Sequence, residues 1–208
     1  MMKVRARLLV AVAALGAALG GFWLATQLDR GAPHLASGTW LPRPRAVQDF
    51  SLTDERGRAF TRADLAGTPT LVFFGFTHCP DVCPTTLVKL AQVKKSAPLA
   101  ALHVLFVSVD PQRDTPPVLA QYVHAFDPSF QGLTGDPQAL ARVAGDFGVA
   151  FSRVELPGGD YTMDHSAVVF LLDTGAHIVA IFTPPFDSAA LRADLQRAAP
   201  ALAARAPT

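Results

Sequence analysis

The residues best suited to chemistry are Cys79 and Cys83, the two cysteines of a 208-residue chain, set in Thr77-His78-Cys79-Pro80-Asp81-Val82-Cys83-Pro84. Their spacing can put both sulfurs on the same side of a loop or first helical turn. Pro84 suits such a turn, because the N–H it lacks would have no partner there. A helix N-terminus adds unpaired N–H groups and the positive end of the helix dipole, and both favour thiolate over thiol. Thiolate binds soft metals and attacks disulfides, so the segment suits metal binding and dithiol–disulfide exchange alike. The plainer alternatives are packing cysteines or a stabilising disulfide. A bridge across so short a loop removes little chain entropy, and a position between two prolines directly after an apolar strand does not suit passive packing.

Other polar residues have ordinary readings. His103 opens an apolar strand, His177 falls in a hairpin, His124 on a helix and His34 in a linker, and structural or solvated roles suit all four. His78, beside Cys79, stands evenly between solvent and a further ligand. Asp81 is expected to accept from backbone N–H groups at the helix start, with tuning of the thiolates as the alternative. Asp110 and Asp114 flank Arg113 and read as turn and cap residues, with partner recognition the lesser alternative.

These residues need a scaffold, and the pattern from Phe50 onward supplies one. Phe50-Ser51-Leu52 and Ala59-Phe60 predict a small hairpin turning at Gly57. Thr70–Phe76 (TLVFFGF) and His103–Val109 (HVLFVSV) are short unbroken apolar runs, as expected of strands buried on both faces. Between them, Leu87, Leu90 and Ala91 repeat at helical spacing over 84–95. Thr115 can cap a helix whose first residue is Pro116, and another helix is predicted over Pro137–Phe147. Ala167–Leu172 and Ile178–Phe182 read as strands joined at Asp173-Thr174-Gly175, and Ser188–Ala199 as a closing helix. This order is an α/β plan with a mixed central sheet, and a thioredoxin-like fold fits it.

Half the residues are hydrophobic and the net charge is +1. The chain can therefore build a core, and its charge offers no reason to expect nucleic acid as a partner. Leu8–Leu28 (LLVAVAALGAALGGFWLATQL) carries no charge and is long enough to cross a bilayer, for which about 20 residues suffice. Lys3, Arg5 and Arg7 precede it, which predicts a cytoplasmic N-terminus. A retained anchor is favoured over a cleaved signal peptide, since no convincing small-x-small site follows the run. The short lead before the span does not suit a mitochondrial transit peptide, so a single-pass protein of a bacterial inner membrane, with its domain in the periplasm, is expected. The organisation read from the sequence is thus 1–7 cytoplasmic, 8–28 transmembrane helix, 29–47 linker, 48–200 globular domain and 201–208 tail.

FFGFTHCPDVCPTTL at 73–87 resembles the active segment of the Sco/SenC proteins, the copper chaperones of cytochrome c oxidase assembly. SVDPQRDTP at 108–116 is similar to the family's next segment, and Asp164-His165-Ser166, at the start of a strand, stands where the family carries its ligand histidine. The likeness runs from about Asp49 to about Leu195. It implies a thioredoxin-like fold and a copper site of Cys79, Cys83 and His165. It further implies delivery of copper, or of reducing equivalents, to the binuclear copper centre of cytochrome c oxidase subunit II, with an upstream copper donor or thiol reductant as a second partner. Donor chemistry agrees: thiolates are soft ligands for Cu(I), and imidazole serves either copper oxidation state. Two thiolates and one imidazole leave an open shell, which suits a metal that must be passed on, whereas structural zinc usually takes a fourth protein ligand. Met163 lies near His165 in sequence, and packing is its expected role. The competing function is a thiol–disulfide reductant acting through Cys79 and Cys83, which has no obvious use for His165. A peroxidase of the same broad fold ranks last, because it needs a different local cysteine motif.

Overall fold

The structure, a computed structural model, describes residues 33–96, 99–185 and 187–203, together with helical residues 14–17, 19–21 and 23. The predicted membrane span, 8–28, lies mostly outside the described residues. Within it, Leu15, Leu19 and Trp23 are exposed. Among the described residues, no helix is long and apolar enough to cross a membrane.

The unit from His34 onward is built on an eight-stranded sheet. Its strands are β1 (Gly38–Ala46), β2 (Ser51–Asp54), β3 (Ala59–Thr61), β4 (Thr70–Gly75), β5 (His103–Ser108), β6 (Gln131–Thr134), β9 (Val169–Leu172) and β10 (His177–Phe182). They lie in the order β1-β10-β9-β4-β5-β6-β2-β3. β4, β5 and β6 run parallel, while β9 and β10 run antiparallel to their neighbours. A separate hairpin pairs β7 (Phe151–Glu155) with β8 (Tyr161–His165). The helices are α1 (Val82–Lys94), α2 (Pro116–His124), α3 (Pro137–Phe147) and α4 (Ser188–Ala203). The result is the thioredoxin-type α/β architecture with a mixed sheet.

β4 is central, and all six of its residues are buried, which is why it reads as an unbroken apolar run. Alternate side chains leave a strand on opposite faces. Phe74 turns to one face, edge-on to Phe147 of α3 and Phe170 of β9. Phe73 turns to the other, beside Phe106 of β5, and Phe106 in turn packs on Tyr122 of α2. α3 keeps the range predicted for it: Asp136 caps it by accepting from the N–H groups of Gln138 and Ala139, and Gly148 ends it in a left-handed conformation.

Four features differ from the sequence expectation. The second half of the stretch read as linker, 29–47, is β1, which pairs antiparallel with β10. Pro42 and Pro44 hide it, since they break any strand pattern. They are tolerated because β1 is an edge strand and its pairing is interrupted between Trp40 and Arg45. Ahead of β1, Ala36 and Ser37 donate to the buried carboxylate of Asp194 on α4, so the ordered unit starts well before residue 48. β6 and the β7–β8 hairpin lie outside the strands expected from sequence, and His165 closes β8 instead of opening the strand that follows. α4 also runs past Ala199 to Ala203, into the stretch read as tail.

Candidate metal centre

Each donor arrives from a different device of the fold. β4 ends at Gly75, and the chain turns through Phe76–Asp81 into α1. The Cys79 N–H donates to the Phe76 carbonyl, which closes that turn. Cys83 lies in the first turn of α1 and is fully buried, whereas Cys79, one turn earlier, is half-buried. Cys83 fits because residue 75 is glycine: a Cβ there would lie 2.8 Å from both the Cys83 sulfur and the Phe106 ring.

His165 comes from the far end of the chain. The β7–β8 hairpin reverses at Gly158 and Gly159, both at positive φ (93° and 84°), and register pairs Phe151 with His165. The His165 ring meets Phe73 and Phe76 edge-on, at centroid distances of 6.2 and 5.9 Å. Its Nδ1 lies 3.3 Å from the Ser166 carbonyl oxygen. When Nε2 serves as a metal ligand, the proton sits on Nδ1 and donates there, the tautomer such a ligand needs. Nε2 lies 3.4 Å from the Cys83 sulfur, and the Cys83 N–H reaches the Cys79 sulfur at 3.4 Å. The donor atoms of Cys79, Cys83 and His165 all lie within 4.8 Å of one another.

The two sulfurs are electrostatically unequal. The Cys83 thiol, by hydrogen bonding to Cys79, lowers the Cys79 pKa to about 4; His165 and the N–H groups of Asp81 and Cys83 add to this, against the opposing effect of burial. Cys83 is shifted upward by the same hydrogen bond and by burial. Without metal this asymmetry favours the proton on the buried sulfur and the thiolate at the half-open side. Two soft sulfurs and an imidazole, their donor atoms all within 4.8 Å of one another, fit Cu(I) in donor type.

Other sequence candidates are not gathered with these three. His78 is exposed, with Nδ1 3.1 Å from Thr77 Oγ1. Asp81 occupies the N-cap position of α1 without a side-chain cap bond, and Thr85 Oγ1 reaches its carboxylate at 3.4 Å. His177 pairs with Asp173, His103 opens β5, His124 ends α2 and His34 is exposed. Met163 packs against the core, in line with the packing role expected of it. Thr115 takes the N-cap position of α2 without a side-chain bond, as Asp81 does for α1.

The role of the second motif is only partly that of turn and cap. Asp114 is fully buried and accepts from Ser108 Oγ and from the N–H and hydroxyl of Thr77, so it holds the cysteine loop. Burial pushes its carboxyl pKa up against those donors. Asp110 takes the Tyr161 hydroxyl at 2.8 Å and pairs with Arg113. Tyr161 and Arg153 do not stand out in the sequence. The available signal is the two-glycine turn between FSRVE and YTMDH, which marks a hairpin leading straight to His165.

Comparison with known proteins follows the same lines. The SCO1/SenC family model matches residues 40–200. "Protein SCO2 homolog, mitochondrial" of Bos taurus is 42% identical over 176 residues, covering 81% of this chain, and this chain spans 66% of that protein's length. Among solved structures, Arabidopsis thaliana ScoI with copper bound superposes with a TM-score of 0.70 at 34% identity, covering 74% of this chain and 99% of that one. Bradyrhizobium japonicum ScoI with copper bound gives a TM-score of 0.67 at 42% identity, covering 73% and 98%. The fold, the order of its motifs and these relatives agree, and the chain belongs to the SCO1/SenC family.

Proposed function

We propose that this protein is a copper carrier that holds one copper ion as cargo on Cys79, Cys83 and His165 and delivers it to the binuclear copper centre of cytochrome c oxidase subunit II during assembly. The observation that carries the reading is the convergence of the three donor atoms within 4.8 Å. The presence of copper in the Arabidopsis and Bradyrhizobium structures supports it. In this reading Cys79 and Cys83 are the thiolate ligands, His165 presents Nε2, and the shell stays open on the side of half-buried Cys79. The N-terminal apolar run anchors the domain to a bacterial inner membrane, facing the periplasm, within reach of a membrane-bound recipient.

Copper stoichiometry on the reduced full chain tests this reading. One copper per chain is expected, with His165→Ala weakening binding at least about tenfold and Cys79→Ser abolishing tight Cu(I) binding. Unchanged affinity in His165→Ala would refute the three-ligand site.

A second reading, reduction of the recipient's disulfide, is favoured by the low pKa of half-buried Cys79 beside buried Cys83. Cys79 thiolate would attack one sulfur of the disulfide and expel the other as thiolate. Cys83 would then resolve the mixed disulfide, leaving this pair oxidised and the recipient reduced. Turnover of a peptide disulfide that persists in His165→Ala, together with weak copper binding by the parent, would establish this role over the carrier.

A further inference from the structure

The hairpin bearing His165 is a sheet of its own, since β7 and β8 pair only with each other. Phe151 and Met163 pack it against the core, and its polar ties to the body include side chains from the loop 110–113. Tyr161, the first residue of β8, lies between two guanidinium groups, Arg113 and Arg153, each 3.7 Å from its ring centroid. Its hydroxyl donates to Asp110 at 2.8 Å, and its carbonyl oxygen accepts from Arg113 at 2.9 Å. Arg153, from β7, also reaches Gln112 in the same loop at 3.2 Å. Every polar edge and both faces of one aromatic side chain are thus engaged, at the base of the strand that ends in His165.

The same loop leads directly to Asp114, which holds Thr77 ahead of the cysteines. One segment therefore reaches both halves of the donor set: Asp114 the cysteine loop through Thr77, and Asp110 with Arg113 the hairpin through Tyr161. Residues 161 and 165 are the two ends of β8 and lie on the same side of it.

We propose that Tyr161, clasped by Arg113, Arg153 and Asp110, is a positioning residue that fixes His165 against the thiolates and so sets how tightly copper is held. The inference rests on the copper-carrier reading for its functional meaning, and Tyr161 itself lies outside the donor set. Supporting residues that orient a ligating histidine typically contribute about 10–100-fold in metal affinity.

The test is a double-mutant cycle on the reduced full chain, with Cu(I) partitioned against a chromogenic chelator. Tyr161→Ala is expected to weaken Cu(I) binding about 10-fold or more. Tyr161→Phe, which keeps the stacked ring and loses the hydroxyl, should weaken it less. In the His165→Ala background, Tyr161→Ala should leave the affinity within about twofold, because its effect runs through the imidazole. Equal losses in both backgrounds would overturn the proposal, since Tyr161 would then be acting on the thiols or on stability. Should Tyr161→Ala fail to fold, Tyr161→Phe carries the same cycle and is read in the same way.

A metal-free readout separates this inference from the copper reading. In the reduced apo protein, NMR contacts between the His165 ring and the rings of Phe73 and Phe76 are expected in the parent and lost in Tyr161→Ala. If the parent binds no copper, the carrier reading falls, and the NMR contrast still decides the clasp. Contacts that persist in Tyr161→Ala would overturn the clasp whatever the parent binds.

Discussion

The downward shift of the Cys79 pKa and the upward shift of that of Cys83 set which sulfur reacts in the absence of metal. With its pKa lowered to about 4, Cys79 is expected to be alkylated by iodoacetamide at about pH 6 while buried Cys83 is spared. The rate should stay level as the pH falls and drop only near pH 4, which peptide mass spectrometry would follow. Labelling of both residues with a common midpoint near about 8.5, the value of an ordinary thiol, would show that the asymmetry is absent. The linkage has a definite sign. Between these two values the unfolded chain binds the extra proton, so the stability contributed by the Cys79 thiolate is complete above about 8.5 and is lost as the pH falls toward 4. The cysteine pair is legible in the sequence because its spacing and flanking prolines are local. His165 is legible only through resemblance, because nothing near it in sequence marks a ligand; what places it is a hairpin and two phenylalanines from β4 and its following turn.

Elements, more than single residues, explain why the site is well ordered. The strand β4 delivers Gly75 and Phe73 to one face, α1 starts beside them, and the loop after β5 braces both the cysteine turn and the β7–β8 hairpin. Asp114 is the joint: in Asp114→Ala, three donors from Thr77 and Ser108 lose their buried acceptor. The expected cost is about 3 kcal/mol, read by urea denaturation, with weaker copper binding because the Thr77–Cys79 turn loosens. An unchanged urea midpoint would show that water replaces the carboxylate. Buried strands announce themselves by composition, as in TLVFFGF. The β7–β8 hairpin does not, because most of its side chains are exposed or half-buried and show no clean alternation. β6 is only four residues long, too short for a period to register.

At the scale of the whole molecule, the segment ahead of residue 48 belongs to the ordered unit. Asp194 of α4 is fully buried; burial alone would raise its pKa, and the N–H groups of Ala36 and Ser37 and the Ser37 hydroxyl hold it below the ordinary carboxylate value. A chain beginning at Gln48 loses those donors together with β1. It is expected to be less stable by about 3 kcal/mol or more, roughly 10 °C in Tm, than one beginning at His34. Calorimetry of the two would check this, and equal Tm values would mean that β1 is only an appendage. The prolines that hide β1 from a reading of the sequence have a consequence of their own. Molecules tethered to one face of a bilayer, as the proposed anchor would hold them, meet as if at high concentration, and an open strand edge there invites one copy to zip onto the next. Pro42 and Pro44 are exposed on the outermost strand and offer no N–H to a neighbour, so the edge by which one copy would zip onto the next is kept unsociable.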